Sequence, residues 1–320
     1  MRTPSFTGYA ILVKGDQQMR LPRATFFCLE RHSPILRIGI AAGCLAFFSS
    51  CTNDGGTNPG APTPLPTPGS TIVYSAVGAS DANGVGSSVV CVPFTDCPNG
   101  MGYVPAAVRA LRSQGYTVSH LNLGVAGAVI SRDFQTLASF FVPGNFIEQE
   151  MPFIQTAATV VTIFAGLNEL NIITGALGGG AGGSDPNGFM DRLVQTFGAN
   201  YATLLSGIRA RAGSPRIIVL NVPNAAGLPY LAGASLAQRQ AAQRISVAMT
   251  RTVVNPLTAQ NAVVVDLMCD ARSYARSNYS SDGLHPNDAG YAFISAEVVR
   301  AITTSYPAPQ TNCSAMTIVP

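Results

Sequence analysis

Five short apolar runs, rich in β-branched residues, alternate with longer segments of helical periodicity, and this alternation constrains the fold more than any other feature. The runs are continuously hydrophobic, which predicts strands covered on both faces, as in a parallel sheet. Strand–helix alternation with right-handed crossovers predicts an α/β fold, a three-layer α/β/α sandwich with a five-stranded parallel sheet. The predicted strands are Thr71–Val77, Thr117–Leu123, Thr159–Ala165, Arg216–Val222 and Ala262–Met268.

The segments between and after these runs place apolar residues at helical spacing. In the longest segment, Leu193, Phe197, Tyr201, Leu204 and Ile208 share one predicted helix face. Active sites in open parallel sheets lie at the carboxyl ends of the strands, so the residues that follow each strand are the first candidates for chemistry. The predicted helices are Val104–Gln114, Arg132–Phe141, Phe189–Ala212, Leu236–Val254 and Asn287–Thr303.

Residues 1–51 have the pattern of an export signal rather than of a folded segment. Arginines precede the apolar run Ile38–Phe48, which is short for a membrane span and ends at Ser49-Ser50-Cys51. The small residues before Cys51 resemble the lipobox of bacterial lipoproteins, in which the cysteine is lipidated and becomes the mature N-terminus. We therefore expect export from a bacterial cell and a lipid anchor at Cys51. The alternatives are ordinary secretion, a retained membrane segment, lipidation at Cys44, and Met19 as the true start.

Residues 52–70 separate this leader from the predicted domain. They consist mostly of Gly, Pro, Thr and Asn and carry one charged side chain, Asp54. Such a composition offers nothing to bury and predicts an extended, flexible spacer. Residues 71–320 then form one globular domain, a length that supports a single substantial core. We expect this domain to be a monomer that meets a membrane only through the anchor.

The distribution of charge argues against a nucleic-acid partner. The formal net charge is +3, but six of the 19 basic residues and only two of the 16 acidic residues precede Thr52. The remainder of the chain is therefore nearly neutral, and it contains no lysine. Without a basic patch, binding to a phosphate backbone lacks its main electrostatic contribution.

Four cysteines follow the leader: Cys91, Cys97, Cys269 and Cys313. Export brings a chain into an oxidising environment, where an even number of cysteines favours disulfides over a metal site. Four cysteines allow three pairings. We prefer Cys91–Cys97, which closes a small loop, with Cys269–Cys313, which ties the C-terminal segment to the last strand. Buried free thiols are the alternative.

Candidate functional groups follow the predicted strands at one edge of the sheet. Ser80 comes just after the first strand among small residues, which places a hydroxyl on a tight turn. Gly124 follows the second strand and offers a backbone N–H, and Asn168 follows the third and offers an amide. Asp282 and His285 lie three residues apart in a turn-rich stretch after the last strand. A catalytic serine needs a base, and that base needs a carboxylate, so this edge predicts a hydrolytic site.

This order of serine, glycine, asparagine and histidine resembles the SGNH (GDSL-type) hydrolase family. The four blocks span most of the predicted domain; each is a weak signal alone, and the four in order at strand ends are a strong one. The resemblance implies a flavodoxin-like sheet with Ser80 as nucleophile, His285 as general base and Asp282 as the carboxylate that orients it. It also implies an oxyanion hole made by the N–H groups of Ser80 and Gly124 and the amide of Asn168.

Two positions depart from that family's pattern. Ala79 stands where the first block usually has aspartate, and Glu169 stands where the third block usually has aspartate after the asparagine. Both positions support the site rather than perform its chemistry. We therefore expect altered local hydrogen bonding at these positions and retained activity.

Two other residues compete with the predicted site. Gly233-Ala234-Ser235-Leu236 looks even more like the family's serine tag, but it follows no predicted strand. Ser235 with Gln238 three residues later, ahead of an Ala-rich helix, predicts a capping box. His120 is the other histidine after the leader, and its place inside the second strand predicts a packed core residue.

The resemblance implies a serine esterase that hydrolyses carboxylic esters through an acyl-enzyme, with no metal or other cofactor. The residues agree, since no His-rich cluster is present and the glycine-rich stretch 178–183 lacks the lysine of a phosphate-binding loop. The expected substrate is a small-molecule, lipid or glycan ester. One alternative is a carbohydrate esterase or acyltransferase with the same residues. Another is a non-catalytic surface lipoprotein that keeps the fold as a binding module.

Overall fold

A computed structural model describes residues 64–320. The predicted export signal, Cys51 and the first part of the predicted spacer lie outside the described residues. The strands are β1 (Thr71–Val77), β2 (Thr117–Asn122), β3 (Val160–Phe164), β4 (Arg216–Leu220) and β5 (Val263–Val265). The α-helices are α1 (Ser80–Asn83), α2 (Tyr103–Ser113), α3 (Arg132–Leu137), α4 (Phe146–Gln149), α5 (Leu167–Gly178), α6 (Pro186–Ala212), α7 (Leu236–Ala248) and α8 (Asp288–Thr303).

Single turns of other helix types connect these elements. A π-helical segment, Met249–Val254, continues directly from the end of α7. The 3₁₀ turns are Met151–Phe153, Ala225–Gly227, Pro229–Leu231, Asn255–Gln260, Ala271–Tyr274, Arg276–Asn278 and Ser314–Thr317.

The five strands form one parallel sheet in the order β2-β1-β3-β4-β5, which confirms the predicted α/β fold. In register, Val77 at the end of β1 pairs with Ile163 of β3, and the next residue of β3, Phe164, pairs with Leu220 of β4. These three strands therefore end at nearly the same level. The loops that follow them open onto one edge of the sheet.

Different helices cover the two faces of the sheet. On one face, Tyr74 and Ile218 pack in a buried cluster with residues of α2 and α8. On the other face, Val161 and Val219 pack in a second cluster with residues of α6 and α7, including Phe197. Alternate residues of each strand thus point into two separate cores, which explains why the strands are continuously apolar. The result is the predicted three-layer arrangement.

Several helix boundaries differ from the prediction, and for two of them the local cause is clear. α3 ends at Leu137 rather than at Phe141, because the backbone becomes extended at Ala138. Phe141 then lies on the loop and is 85% exposed. It is an exposed apolar residue and not part of the buried face of a helix. α6 begins three residues earlier than predicted, at Pro186, because the Asp185 carboxylate accepts the Gly188 N–H and caps the helix.

The helix α5 was not predicted from the sequence. Its first residue is Leu167, and the Glu169 carboxylate accepts the Gly166 N–H as part of the cap. Thr174, Gly175 and Gly178 lower its intrinsic helix propensity, so packing rather than local preference stabilises it.

Two disulfides fasten the described domain, Cys91–Cys97 and Cys269–Cys313. This is the pairing preferred from the sequence. The first joins residues separated by 6 positions and the second joins residues separated by 44. Within residues 64–320, no helix is both long enough and apolar enough to cross a membrane.

Candidate active site

The loop Ser280–His285 holds its own carboxylate in place. The backbone N–H groups of Leu284 and His285 donate to Asp282 Oδ1 at 2.8 and 2.9 Å, and Ser280 Oγ donates to the same atom at 2.7 Å. Gly283 has φ +72°, a left-handed conformation that favours glycine. Asp282 is thus fixed by groups that are all within three residues of it.

The structure brings together Ser80, His285 and Asp282, the three residues predicted to be catalytic. His285 Nδ1 lies 2.6 Å from Asp282 Oδ2, and His285 Nε2 lies 3.0 Å from Ser80 Oγ. With its proton on Nδ1, facing the carboxylate, the imidazole presents Nε2 as an acceptor to the serine hydroxyl. This geometry allows proton transfer from Ser80 to His285.

The electrostatics of Asp282 favour its ionised form. Partial burial raises the pKa of this carboxyl, but hydrogen bonds from His285, from Ser280 and from the loop N–H groups outweigh burial and lower the pKa to about 2. Asp282 is therefore a carboxylate at neutral pH, the form that stabilises a positively charged imidazolium.

Ser80 begins the one-turn helix α1, which two residues separate from the end of β1. It is 8% exposed, and its carbonyl accepts the Val85 N–H at 3.0 Å. The turn closes at Gly84, whose φ is +78° and whose absent Cβ would lie 2.5 Å from the backbone of Gly102. The close backbone approach requires glycine there and keeps the serine at the sheet edge.

Gly124 is not placed as predicted. Its N–H donates to Asn122 Oδ1 at 3.2 Å, and a Cβ on this residue would lie 2.5 Å from Ala82 Cβ. The glycine is therefore required for close packing, and its N–H is committed inside the protein. Gly127, three residues later, is exposed with φ +84°, and its N–H has no acceptor within the described part of the chain. Of these two glycines, Gly127 rather than Gly124 therefore has the N–H that the described residues leave without an acceptor.

Asn168 and Ser80 line the same cleft as His285. Asn168 Nδ2 donates one hydrogen to Ala128 O at 2.8 Å, which orients the amide and leaves its second hydrogen available. The rest of the lining is largely apolar and includes Phe146, Phe164, Leu167 and Leu284.

Glu169 ties the third block to the second. It is 1% exposed, and its two carboxylate oxygens accept the N–H groups of Gly166 and Ile130 at 2.8 and 2.5 Å. Burial raises the pKa of Glu169 to about 7, against the opposing effect of these backbone hydrogen bonds. The departure from the family pattern at this position thus forms a hydrogen-bonded brace, in line with the expected change of local bonding.

Two further acidic residues of the site were missed by sequence reasoning. Asp81 follows Ser80 and lines the cleft, and burial raises its pKa while His285 opposes the shift. Glu150 is fully buried, and its Oε2 accepts the Gly78 N–H at 2.9 Å. Asp81 could have been found from the sequence, because it stands next to Ser80. Glu150 lies far along the sequence and gives no local signal.

The competing residues occupy structural positions. Ser235 caps α7 in a capping box with Gln238, as predicted. His120 lies on the edge strand β2, where its side chain is 10% exposed and Nε2 lies 3.7 Å from Asp96 Oδ1. Across residues 64–320, no group of three or more His, Cys, Asp or Glu side chains is arranged to hold a metal ion.

Comparison with known proteins identifies the family of this chain. The model of the GDSL-like Lipase/Acylhydrolase family matches residues 76–293. The lipase Lip_vut3 from a goat rumen metagenome is 20% identical over 73% of this chain and 98% of its own, with a TM-score of 0.52. The extracellular lipase from Streptomyces rimosus is 17% identical over 73% of this chain and 100% of its own, with a TM-score of 0.49. A search of curated proteins finds no significant match.

Proposed function

We infer that this chain, which belongs to the GDSL-like lipase/acylhydrolase family, is a serine esterase that hydrolyses carboxylic esters through an acyl-enzyme. The observation that carries the proposal is the continuous contact from Asp282 through His285 to Ser80, at 2.6 and 3.0 Å. A serine hydroxyl is a weak nucleophile until an adjacent base removes its proton, and this contact supplies that base.

The proposed reaction proceeds in two displacements. Ser80 Oγ attacks the ester carbonyl while His285 Nε2 takes the hydroxyl proton, and Asp282 stabilises the imidazolium. The tetrahedral intermediate collapses when His285 returns that proton to the departing alcohol, leaving the acyl group on Ser80. A water molecule then attacks the acyl-enzyme as His285 takes its proton. The second tetrahedral intermediate collapses as His285 passes that proton to Ser80 Oγ, which releases the acid and regenerates the serine.

Three donors are proposed to stabilise the oxyanion of each tetrahedral intermediate. They are the backbone N–H groups of Ser80 and Gly127 and the remaining hydrogen of the Asn168 amide. Such donors act strongly because they are fixed before charge develops on the oxygen. The bond from Asn168 to Ala128 O and the positive φ of Gly127 support this arrangement, since both are set by the fold.

The lining of the cleft favours an uncharged ester. The residues around Ser80 include four large apolar side chains, and the lining contains Asp81, Glu169 and no Arg or Lys. A substrate with a phosphate or carboxylate close to the scissile bond would find no cation there to pair with. We propose an apolar acyl group on a neutral alcohol, and a panel of esters graded by chain length and alcohol would define both.

The test compares the full-length protein with Ser80→Ala and Ser235→Ala variants on p-nitrophenyl acetate, butyrate and octanoate. We expect Ser80→Ala to abolish turnover and fluorophosphonate labelling, and Ser235→Ala to retain both because Ser235 only caps α7. Full activity in the Ser80 variant would contradict the proposal. Adding glycerol or a sugar as acceptor measures acyl transfer in the same assay.

We also propose that residues 1–51 direct export, that Cys51 is lipidated, and that the domain is a monomer tethered by a flexible spacer. The sequence around Cys51 supports this proposal. Replacing Cys51 with alanine should move the protein from the membrane fraction to a soluble one. Unchanged fractionation would contradict lipidation, and size-exclusion chromatography in detergent would test the oligomeric state.

A further inference from the structure

Glu150 follows α4 and places a carboxyl group beneath the nucleophile turn. Its Oε2 accepts the Gly78 N–H at 2.9 Å, and the residue has no exposed surface. Its Oε1 is buried as well, without a hydrogen-bond partner in the described part of the chain. Gly78 lies only two residues before Ser80, so the carboxyl acts on the peptide that leads directly into the turn.

The same carboxyl group contacts the loop after β2. The Val125 N–H donates to Gly78 O at 3.2 Å. The backbone of Val125 is also close enough to Glu150 to oppose the rise in its pKa, as the Gly78 N–H does. Val125 lies two residues before Gly127, the proposed backbone donor of the oxyanion hole. One side chain therefore joins the segment that carries the nucleophile to the segment that carries an oxyanion donor.

The element that carries Glu150 is itself attached to this loop. The N–H of Phe146, the first residue of α4, donates to Val129 O at 2.9 Å, and the Val129 N–H donates to Gly144 O at 3.2 Å. Phe146 also lines the cleft. The loop after β2 therefore fixes the position of Glu150. Glu150 in turn links this loop to the nucleophile turn.

The energetics point to a role in the site rather than in stability. Burial raises the pKa of Glu150 well above its usual range, and none of the groups acting on it is a cation. A buried carboxyl with an unpartnered oxygen costs free energy that an apolar side chain of similar size would avoid. Such an arrangement is explained when the bond from the Gly78 N–H to Glu150, together with the bond from Val125 to Gly78 O, sets a geometry that the reaction needs.

We propose that Glu150 is a positioning residue for the esterase reaction, holding Gly78 and Val125 so that the hydroxyl of Ser80 and the N–H of Gly127 converge on one ester carbonyl. This inference rests on the proposed function. Glu150 touches no reacting atom. Its effect comes through the relative placement of two backbone segments, for which an error of about 1 Å lowers the rate by about 100-fold.

The test uses the full-length protein with Glu150→Gln, Glu150→Leu and Glu150→Asp. Gln keeps an oxygen that accepts the Gly78 N–H, so we expect a kcat within about 3-fold of the parent. Leu removes the acceptor, and Asp withdraws it by one methylene, so we expect kcat to fall by about 10–100-fold with KM nearly unchanged. The rate of Ser80 inactivation by a fluorophosphonate should fall in parallel. Glu148→Gln, two residues away and exposed, is the matched control.

The outcomes separate this inference from the proposed function. A folded Leu or Asp variant with the parent kcat and inactivation rate would overturn the positioning role, even if Ser80→Ala is inactive. A Gln variant as impaired as the Leu variant would also overturn it, because the acceptor would not be what matters. If Ser80→Ala retains full activity, the proposed function fails, and the role of Glu150 in it fails too.

Discussion

The two halves of the candidate active site are held in different ways. The base half, residues 278–287, positions Asp282 and His285 largely with hydrogen bonds from its own loop. The nucleophile half, residues 78–83, is braced by side chains from distant parts of the sequence. One half is built by local chain geometry and the other by tertiary contacts.

The contacts of the nucleophile half show how far its supports are spread. Glu150 reaches Gly78 across 72 residues, and the Asn122 amide reaches Ala82 O across 40 residues at 2.8 Å. These supports come from β2 and from the residue that follows α4. Ser80 therefore depends on the assembled fold, whereas the contact between Asp282 and His285 depends on one turn.

This difference determines what could be predicted from the sequence. A spacing of three residues with Gly283 between them was enough to recognise the base half. The position of Ser80 at a strand end could be predicted. No sequence motif indicates that the buried carboxyl group of Glu150 supports its turn. The choice between Gly124 and Gly127 depends on which N–H the folded loop leaves unbonded, and that is a tertiary property.

The prediction of helices and strands shows the same difference between local and tertiary effects. The five strands were predicted because continuous β-branched runs are set by burial on both faces. α5 was missed because two glycines and a threonine weaken its local signal, and its cap residue Glu169 acts through buried contacts with Gly166 and Ile130. Where local preference and tertiary packing agree, the sequence was informative; where packing overrides preference, it was not.

The largest expected effect tests the hydrogen bond between His285 Nε2 and Ser80 Oγ, which joins the two halves. His285→Ala should lower kcat by about 10⁶, as much as Ser80→Ala, because each removes one partner of the same proton transfer. The double variant should be no worse than either single variant, since the two residues act as a unit. Turnover of p-nitrophenyl butyrate by the three variants is the measurement.

A matched control uses the other described histidine. His120→Ala should keep the parent kcat, because His120 lies on the edge strand beside Asp96 rather than in the cleft. Asp282→Asn should cost less than His285→Ala, about 10⁴, because the base remains but loses its orienting carboxylate. Equal losses of kcat in the His120 and His285 variants would mean that the base half does not supply the catalytic base.

The next effect in size tests an oxyanion donor of the third block. Asn168→Ala should lower kcat by about 10²–10³ with a small change in KM, because the donor acts mainly on the transition state. Asn200→Ala is the control; its amide bonds Ser131 Oγ at 2.6 Å. A KM effect without loss of kcat would mean that Asn168 binds substrate instead.

Each half has a disulfide near it in the sequence. Removing either disulfide tests the stability of the protein rather than its reaction rate. Cys269–Cys313 begins just before the base half and closes a long loop, while Cys91–Cys97 follows the nucleophile half and closes a short one. From loop entropy, replacing the first pair with alanine should cost about 4 kcal/mol and replacing the second about 2 kcal/mol. Denaturant unfolding of the two double variants measures this, and the reverse order would contradict it.

A pH dependence of stability at Glu169 tests a residue that is held by tertiary contacts. In the unfolded chain this carboxyl loses its proton near its ordinary pKa of 4.5, whereas burial raises the pKa in the folded protein to about 7. Between these values the folded state holds more protons. Its contribution to stability is therefore fully present below pH 4.5 and is lost as the pH rises towards 7.

Glu169→Gln removes this titration while keeping an acceptor for Gly166 and Ile130. The difference in melting temperature, parent minus variant, should therefore decrease as the pH rises from 4.5 to 7 and level off above it. Glu148→Gln supplies a control of opposite sign, because the exposed hydrogen bond with Arg132 lowers the pKa of Glu148. Its difference should grow as the pH rises to 4.5, the ordinary pKa of this carboxyl, and then stay level up to pH 7. Equal slopes in the two pairs would mean that Glu169 titrates as a surface carboxylate and braces nothing.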